Sequence, residues 1–253
     1  AAQQVEQKEH WEYDTIQRSE VKRHLTEYFY YGGLPEIQSF KNKRAMLSSL
    51  YQKIYLGDIC ARNNIKNDRV LNILIKKMAE SVKQPLSYNR LKNVIVSTGS
   101  PISVPTTIDY VDYASDSWLI LPMENEVGKL TEKEMQKKYY FVDNGLLNLF
   151  LMNSETSLLE NMVAVELCRR FGKKNVFFLN AEKEIDFIVP DEKLAIQVSY
   201  SIKDETTYNR EVPPLAKYAK AHNDWKCLLI TYDEEGTEEG IPVVPVWKWL
   251  MWV

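Results

Sequence analysis

The chain has 253 residues, of which 45% are hydrophobic and 26% charged, and its formal net charge is −3. This is the composition of an ordinary soluble protein with room for two domains, or for three small ones. No apolar run approaches the roughly eighteen residues that a membrane-spanning helix needs, so the sequence predicts no membrane partner.

Cysteine and histidine usage predicts the compartment and excludes some metal sites. Three widely spaced cysteines, Cys60, Cys168 and Cys227, predict a reducing cytoplasm without a disulfide framework or zinc cluster. The three histidines are equally scattered, which disfavours a metal site built on them. The polar residues 1–17 show no clear period, and their start lacks a signal-peptide pattern.

The first two thirds of the chain predict helices followed by two strands. Helical periodicity places helices at Glu20–Tyr31 and at about Ser39–Tyr55. Residues 67–142 then predict a winged-helix unit, because three helices precede two strands joined by a charged wing. These helices are predicted over Asn67–Lys83, from the Ser87 cap to Gly99 and from Pro105 to Ser117, and the strands over Trp118–Met123 and Lys138–Val142.

Charge is distributed unevenly over this predicted unit. Residues 61–104 carry eight basic residues against two acids, so phosphate contacts with nucleic acid are expected there. The plainer alternative is a solvated helix face. The third helix carries Asp109, Asp112 and Asp116 without a base, which disfavours direct reading of the DNA major groove. The expected phosphate contacts are Lys76, Lys77, Arg90 and Lys92.

The last hundred residues predict an α/β/α unit. A helix over Ser157–Phe171 precedes strands at Val176–Leu179, Glu184–Val189 and Leu194–Tyr200. A helix over Glu205–Ala221, an apolar strand at Lys226–Thr231 and a strand at Pro242–Val246 follow. The terminal Trp247, Trp249 and Trp252 are expected to be packing residues.

The hairpin Glu184–Ser201 carries one acid at an unusual position. The two-residue period of a strand places Ile185, Phe187 and Val189 on one face and Asp186 on the other. About ten residues later the return strand carries Gln197 and Ser199 on one side. The plainer alternative is a half-buried hairpin in which Asp186 caps or pairs locally.

An acid on a strand, a polar–apolar–polar triplet and an upstream helical Glu together resemble the active site of restriction-endonuclease-like nucleases. In that resemblance Glu160 or Glu166, Asp186, Gln197 and Ser199 stand at the catalytic positions, and Asp186 is the implied Mg²⁺ ligand. Two departures weaken the implied chemistry. Gln197 replaces a carboxylate, and Ser199 replaces the lysine that orients the attacking water, so nuclease activity is not expected.

A second resemblance extends over nearly the whole chain. The landmarks Tyr31–Glu36, Leu50-Tyr51 with Asp58-Ile59 and Arg62, Tyr140–Leu146, Glu160-Asn161 and Glu184–Phe187 are similar to those of one family. It comprises bacterial and archaeal AAA-type P-loop ATPases with a C-terminal domain of unknown function of nuclease-like fold. No Gly-x-x-x-x-Gly-Lys-Ser/Thr motif occurs, so the resemblance covers only the portion after the nucleotide-binding module.

The resemblances imply an α+β multi-domain chain and rank three functions. Residues 1–66 would be a helical lid remnant, 67–152 the winged-helix domain and 153–253 the restriction-endonuclease-like domain. The first function is the regulatory, substrate-engaging portion of an ATPase, with ATP and Mg²⁺ bound only in the intact protein. Alternatives are a Mg²⁺-dependent nuclease with a degenerate site and an oligomerisation or protein-interaction module.

Arg62 carries two interpretations. In the intact ATPase it would contact a nucleotide phosphate as a sensor. The favoured alternative is an ion pair with Asp58, which lies four residues earlier on the same helix face.

Overall fold

The computed structural model describes residues 15–181 and 184–251. Their fold is α+β, as the sequence predicts, with helices grouped around two separate sheets. No helix in these two ranges is both long and apolar enough to cross a membrane. The winged-helix and restriction-endonuclease-like identities, and the domain boundaries at residues 66 and 152, stay predictions.

The first part of the described chain is helical and contains a three-stranded sheet. The central strand of this sheet is Gln136–Phe141, and Leu86–Ser87 and Ile120–Met123 pair with it in antiparallel orientation. Its elements are Thr15–Tyr31 (α1), Pro35–Gln38 (α2), Lys43–Lys53 (α3), a π-helix over Ile54–Ala61, Asp68–Glu80 (α4), Leu86–Ser87 (β1), Tyr88–Ser97 (α5), Val104–Asp116 (α6), Ile120–Met123 (β2), Leu130–Met135 (α7), Gln136–Phe141 (β3) and Asn144–Asn148 (α8).

The second part is a six-stranded mixed sheet between helices. In order across the sheet, the strands are Phe177–Asn180, Glu184–Val189, Leu194–Ser199, Lys226–Thr231, Ile241–Pro245 and Gly236–Glu238. The third, fourth and fifth strands in this order are parallel to one another, and the remaining neighbouring pairs are antiparallel. The elements are Glu155–Phe171 (α9), Phe177–Asn180 (β4), Glu184–Val189 (β5), Leu194–Ser199 (β6), Glu205–Ala221 (α10), Lys226–Thr231 (β7), Gly236–Glu238 (β8), Ile241–Pro245 (β9) and Val246–Leu250 (α11).

Two hydrophobic clusters lie on the two faces of the six-stranded sheet. The larger runs from Leu25 in α1 to Trp249 in α11, and it includes the buried side chains of α9. The smaller packs Val212 and Leu215 of α10 against the sheet. Helices therefore cover the hairpin β5–β6 on both faces, and the prediction of a half-buried hairpin is wrong.

Strand β5 contains one extra residue at the candidate site. Phe177 of β4 pairs with Ile188, whereas Leu179 pairs with Ile185, so three steps along β5 oppose two along β4. A bulge of this kind reverses the alternation of side chains beyond it. Ile185 consequently packs with α10, whereas Phe187 lies in the larger cluster. The expected common face of Ile185, Phe187 and Val189 is therefore wrong.

The segment after β2 joins the two sheets. Asn125 forms a parallel bridge with Phe178 of β4, and the backbone N–H of Glu126 donates to the Phe178 carbonyl at 2.8 Å. The Asn125 side chain accepts from the Asn180 N–H at 3.0 Å and donates to the Asn180 carbonyl at 3.2 Å. The base of the predicted wing is thus fixed to the six-stranded sheet.

Buried Asp143 connects two of the sequence landmarks, Tyr31–Glu36 and Tyr140–Leu146. It caps α8, because its Oδ1 accepts from the N–H groups of Gly145 at 2.8 Å and Leu146 at 3.2 Å. Its Oδ2 accepts from the N–H of Gly33 at 2.8 Å. A Cβ on Gly32, whose φ is +76°, would lie 2.0 Å from Asp143 Oδ1. Only glycine therefore fits at the turn after α1.

The terminal tryptophans are packing residues within the described chain. Trp247 and Trp249 are buried, and the Arg170 guanidinium of α9 lies 4.7 Å from the Trp249 ring centre. Arg170 also donates to the carbonyls of Trp249 and Leu250, at 3.1 and 3.2 Å. The interpretation of Trp252, and of residues 1–14, falls outside the described residues.

Candidate functional site

A fully buried lysine lies at the centre of a group of three carboxylates from two elements. Lys138 Nζ of β3 is 3.3 Å from Glu160 Oε1 of α9 and 3.4 Å from Asp186 Oδ1 of β5. It is also 3.0 Å from Oε1 of Glu184, at the start of β5. We call Lys138, Glu160, Glu184 and Asp186 the ion cluster. Two of its acids, Glu160 and Asp186, are residues that the nuclease resemblance selected.

The elements that carry the ion cluster position its side chains rigidly. Glu160 lies on the buried face of α9, and Asp186 lies at the bulge in β5. Lys138 is in the central strand of the other sheet. Tyr140 lies two residues after Lys138 in β3, and its hydroxyl donates to Glu160 Oε1 at 2.8 Å. The ring centre of Phe178 lies 5.6 Å from Lys138 Nζ, and a cation is attracted to the face of such a ring.

Gln197 holds Asp186 from the neighbouring strand β6. Its Oε1 accepts from the backbone N–H of Asp186 at 3.3 Å, and its Nε2 donates to Glu211 Oε2 of α10. Asp186 Oδ2 in turn accepts from the Val198 N–H at 2.9 Å. The Gln197 side-chain carbonyl oxygen is therefore engaged by the hairpin backbone.

Burial and charge shift the pKa values within the ion cluster. Burial, and then the negative charge of Glu160, raise the pKa of Asp186 well above its usual value, although Lys138 opposes the shift. Burial lowers the pKa of Lys138, but the Glu160, Asp186 and Glu184 carboxylates outweigh that effect and raise it. Burial and Glu160 also raise the pKa of Tyr140. Lys138 therefore stays protonated, while Asp186 binds its proton more tightly than a solvated carboxylate.

A cleft of about 430 Å³ opens over the acids of the ion cluster. Lys138 does not line it, because this side chain has 0% exposure and lies behind the acids. Ser199, at the position where nucleases carry a lysine, does line it, and its hydroxyl donates to the Ser201 carbonyl at 2.9 Å. Other lining residues are Lys83, Gln84, Thr156, Asn209, Arg210 and Glu211.

Glu166, the alternative helical acid, does not join the ion cluster. Six residues beyond Glu160, it lies about one and two-thirds turns further along α9, on another side of the helix. It pairs with Arg169 at 2.7 Å and Arg170 at 2.5 Å, and these pairs lower its pKa, although its burial acts in the opposite direction. The proposed role of Glu166 in the nuclease-like site is therefore wrong.

Arg62 does not form the expected pair with Asp58 in the described part of the chain. The i,i+4 argument assumed an α-helix, whereas Ile54–Ala61 forms a π-helix and Arg62 is the residue at its end. Arg62 instead lines a hollow of about 350 Å³ with Asn63, Tyr113, Asp116 and Ser117. Its role as a nucleotide sensor stays a prediction.

The expected phosphate contacts lie on α4 and α5, away from the ion cluster. Lys76 and Arg90 are exposed, Lys92 is half-buried, and Lys77 pairs with Glu80 at 3.4 Å. Their part in nucleic-acid binding stays a prediction.

Sequence reasoning missed Lys138, Glu184, Tyr140 and Glu211. Three other lysines, Lys183, Lys193 and Lys203, lie near the hairpin in sequence. Lys183 lies outside the described residues, Lys193 pairs with Asp224, and Lys203 is exposed. One signal for Lys138 was present, because the two-residue period of a strand places it on the same face as Tyr140.

The residues of the ion cluster do not fit a Mg²⁺ ion. No group of three His, Cys, Asp or Glu side chains within residues 15–181 and 184–251 is arranged to hold a metal. The position to which the three carboxylates converge is filled by the Lys138 ammonium, and Gln197 adds no negative charge. Hard cations need several free anionic oxygens, so Asp186 is not supported as a metal ligand.

Comparisons with known proteins give relatives without an assigned activity. Residues 22–157 match a family described as a domain of unknown function (DUF8612). An uncharacterized protein of Methanocaldococcus jannaschii is 30% identical over 259 residues, which cover 94% of this chain and 57% of that protein. An uncharacterized protein of Haemophilus influenzae is 30% identical over 241 residues, 91% of this chain and 58% of that protein. The chain thus spans less than two thirds of either relative, and no solved structure matches.

Proposed function

Because the chain belongs to the DUF8612 family, whose domain has no assigned function, we propose its function from the ion cluster and from the family landmarks. The chain is the regulatory and substrate-engaging portion of an AAA-type P-loop ATPase, and it is non-catalytic by itself. The observation that carries the non-catalytic part is the buried ammonium of Lys138 between the carboxylates of the nuclease-like position.

Two features of the ion cluster argue against hydrolysis of nucleic acid at this site. Its ammonium offsets the negative charge that would attract a metal, and it contacts all three acids at 3.0 to 3.4 Å. The same ammonium is buried behind the acids, so it cannot orient an attacking water in the cleft, which is the task of the nuclease lysine. The position facing the cleft is occupied by Ser199, which has no charge.

The resemblance to the ATPases gains support from how the landmarks pack. The Tyr31–Glu36 landmark contacts the Tyr140–Leu146 landmark through Asp143. A Cβ on Gly145 would lie 2.3 Å from the Tyr31 carbonyl oxygen. Gly145, like Gly32, therefore allows the two landmarks to approach each other closely. A third landmark, Glu160-Asn161, contacts strand β3. The Asn161 side chain accepts from the Phe141 N–H at 2.7 Å and donates to the Phe141 carbonyl at 3.0 Å.

Substrate engagement is assigned to the basic helices α4 and α5. The base of the wing is fixed to β4, and α6 carries its three acids, so neither element suits a phosphate backbone. The basic side chains of α4 and α5 are the remaining candidates in this unit. Binding through them would be weak, sequence-tolerant and salt-sensitive, because Lys and Arg contacts to phosphate carry no base information.

ATP turnover tests the proposal directly. The full-length gene product that contains this chain and the 253-residue chain alone are compared for ATP binding and hydrolysis with Mg²⁺. We expect hydrolysis by the full-length product only, since the 253-residue sequence lacks the Gly-x-x-x-x-Gly-Lys-Ser/Thr motif whose backbone amides hold the phosphates. Micromolar ATP binding by the chain alone, or a full-length product without hydrolysis, would contradict the proposal.

A Mg²⁺-dependent nuclease is the second candidate, favoured by the convergence of Glu160, Asp186 and Gln197 beside one cleft. Plasmid and single-stranded DNA are incubated with Mg²⁺ or Mn²⁺ and the unmodified chain, with Asp186→Ala as the matched control. A Gln197→Glu, Ser199→Lys double variant restores the missing nuclease residues. We expect no cleavage by the unmodified chain. Cleavage that Asp186→Ala abolishes would establish the nuclease instead.

A further inference from the structure

We propose that the Lys138 ammonium is the resident cation of the ion cluster, which excludes a divalent cation and ties the two sheets of the chain together. Lys138 belongs to β3 of the three-stranded sheet, whereas Glu184 and Asp186 belong to β5 of the six-stranded sheet. The cluster therefore spans the junction between the sheets, and this inference does not depend on an ATPase partner.

The energetic reason begins with the burial of Lys138. A lone ammonium with 0% exposure would lose several kcal/mol of hydration energy. Three carboxylate oxygens within 3.4 Å replace that hydration, and the Phe178 ring lies on the same ammonium. Conversely, Glu160 and Asp186 are buried and need a cation of their own. Each partner is therefore costly without the other, and the charges hold β3, α9 and β5 in one arrangement.

Exclusion of a divalent cation follows from the same geometry. The carboxylate oxygens surround Nζ at 3.0 to 3.4 Å, whereas an ion such as Ca²⁺ or Mg²⁺ binds oxygens at about 2.0 to 2.6 Å. A divalent ion would have to displace the ammonium, which contacts the buried Glu160 and Asp186 and whose own side chain has no exposure to solvent. The site thus exchanges its cation only if β3 withdraws from β5.

Within residues 15–181 and 184–251, Lys138 is the only residue of β3 that forms ion pairs with α9 and β5, whereas several other contacts at the junction are neutral. The Asn125 side chain and the Glu126 N–H bond the backbone of β4, and Asn161 of α9 bonds the backbone of Phe141. Loss of the ammonium would leave these neutral contacts in place. The chain without it is therefore expected to fold, but with a loosened junction.

Hydrogen exchange with and without Mn²⁺ tests the proposal in the full chain. The variant is Lys138→Met, and the matched control is Lys137→Met. Lys137 is the adjacent lysine of β3, and it pairs only with Glu124 and Glu134 near the surface. We expect backbone amides of β3 and β5 to exchange about a hundredfold faster in Lys138→Met, because buried acids lose their partner. Exchange in Lys137→Met should change little.

The Mn²⁺ arm separates a charge effect from a packing effect. In the unmodified chain, millimolar Mn²⁺ should leave exchange in β3 and β5 unchanged. In Lys138→Met, Mn²⁺ should slow exchange again by restoring a cation to the acids. Three results would each overturn the proposal. They are protection by Mn²⁺ in the unmodified chain, absence of rescue in Lys138→Met, and equal exchange in the two methionine variants.

A milder variant covers the case in which Lys138→Met does not fold. Glu184 is the most exposed acid of the ion cluster, with 45% of its side chain accessible, so Glu184→Gln removes one charge without leaving a buried cavity. Its β3 amides should exchange several-fold faster than those of the unmodified chain. Glu124→Gln, which removes an acid from Lys137, is its control, and equal exchange in these two variants would overturn the proposal.

Discussion

Replacement of Asp143 by alanine should destabilise the chain far more than loss of an ordinary helix cap. The Asp143 carboxylate accepts from three backbone N–H groups, those of Gly33, Gly145 and Leu146. The contacts to Gly145 and Leu146 are a helix N-cap, worth about 1 kcal/mol. The contact to Gly33 joins α8 to the turn after α1, 110 residues earlier. Asp143→Ala therefore breaks a local cap and a long-range tie together.

The magnitude follows from the buried donors that the substitution leaves. Gly145 and Leu146 are buried, whereas Gly33 is exposed and its N–H can bind water. Each buried N–H without a partner costs about 1 to 3 kcal/mol, so Asp143→Ala should lower the free energy of unfolding by about 2 to 6 kcal/mol. Asp143→Asn should cost less, about 1 to 3 kcal/mol, because one side-chain oxygen remains while the new NH₂ group faces an N–H donor. Either loss is a large part of a total stability of roughly 5 to 15 kcal/mol.

Urea unfolding of matched variants measures these differences. Asp204→Ala is the control, because Asp204 also caps a helix, through the Thr207 N–H at 2.8 Å, but is exposed and makes no long-range tie. Its loss should cost less than the loss of Asp143, because water can replace an exposed cap. If Asp143→Ala costs no more than Asp204→Ala, the reasoning about the buried tie between the landmarks is refuted.

Three further outcomes are expected. The raised pKa of Asp186 means that the folded state binds this proton more tightly than the unfolded state, so its contribution to stability is complete below about pH 4 and is lost as the pH rises. The stability of Asp186→Asn relative to the unmodified chain, from urea unfolding between pH 4 and 7, should therefore increase with pH, and a constant difference would contradict this. Arg170→Ala should cost about 2 kcal/mol or more in the same assay, because it frees the Trp249 and Leu250 carbonyls, whereas exposed Arg169→Ala should cost less than about 1 kcal/mol. In fluorescence titrations with labelled single-stranded DNA at several salt concentrations, charge reversal of four basic residues should abolish any binding, and binding equal to that of the unmodified chain would contradict the assignment. These four residues are Lys76, Lys77, Arg90 and Lys92.

Local sequence signals predicted most of the six-stranded sheet. Glu184–Val189, Lys226–Thr231 and the helix Glu205–Ala221 have the predicted bounds. Strong apolar periods and clear capping or turn residues decide such elements within a few residues of the chain. The short strand β8 was missed because three residues carry too little pattern.

Elements whose form depends on distant partners were predicted less well. One helix over Ser39–Tyr55 was expected, but the chain forms α3 and the start of a π-helix there, with Asn42 capping α3 through the Ala45 N–H at 3.1 Å. The Asn cap is a signal that periodicity alone overlooked. The change to π-helical bonding has no local signal in this segment.

The candidate site could be predicted only in part for the same reason. The grouping of Glu160, Asp186 and Gln197 beside one cleft was anticipated because their order and spacing resemble those of nuclease active sites. Lys138 was not, because the burial of a lysine depends on acids 22 to 48 residues away in sequence. The bulge in β5, which sets the direction of Asp186, arises from pairing with β4 and has no signature within β5 itself.

The bridge between Asn125 and Phe178 affects how this chain can meet other proteins. Open sheet edges are templates on which a further strand, from a second copy or a partner, can add by backbone hydrogen bonds. At the β4 edge the bridge takes up backbone groups that a new strand would need. At the opposite edge β8 offers three residues, Gly236–Glu238, beside a run of acids. Growth of fibres or dimers by sheet extension is therefore disfavoured at both ends, and partners must recognise this sheet through side chains.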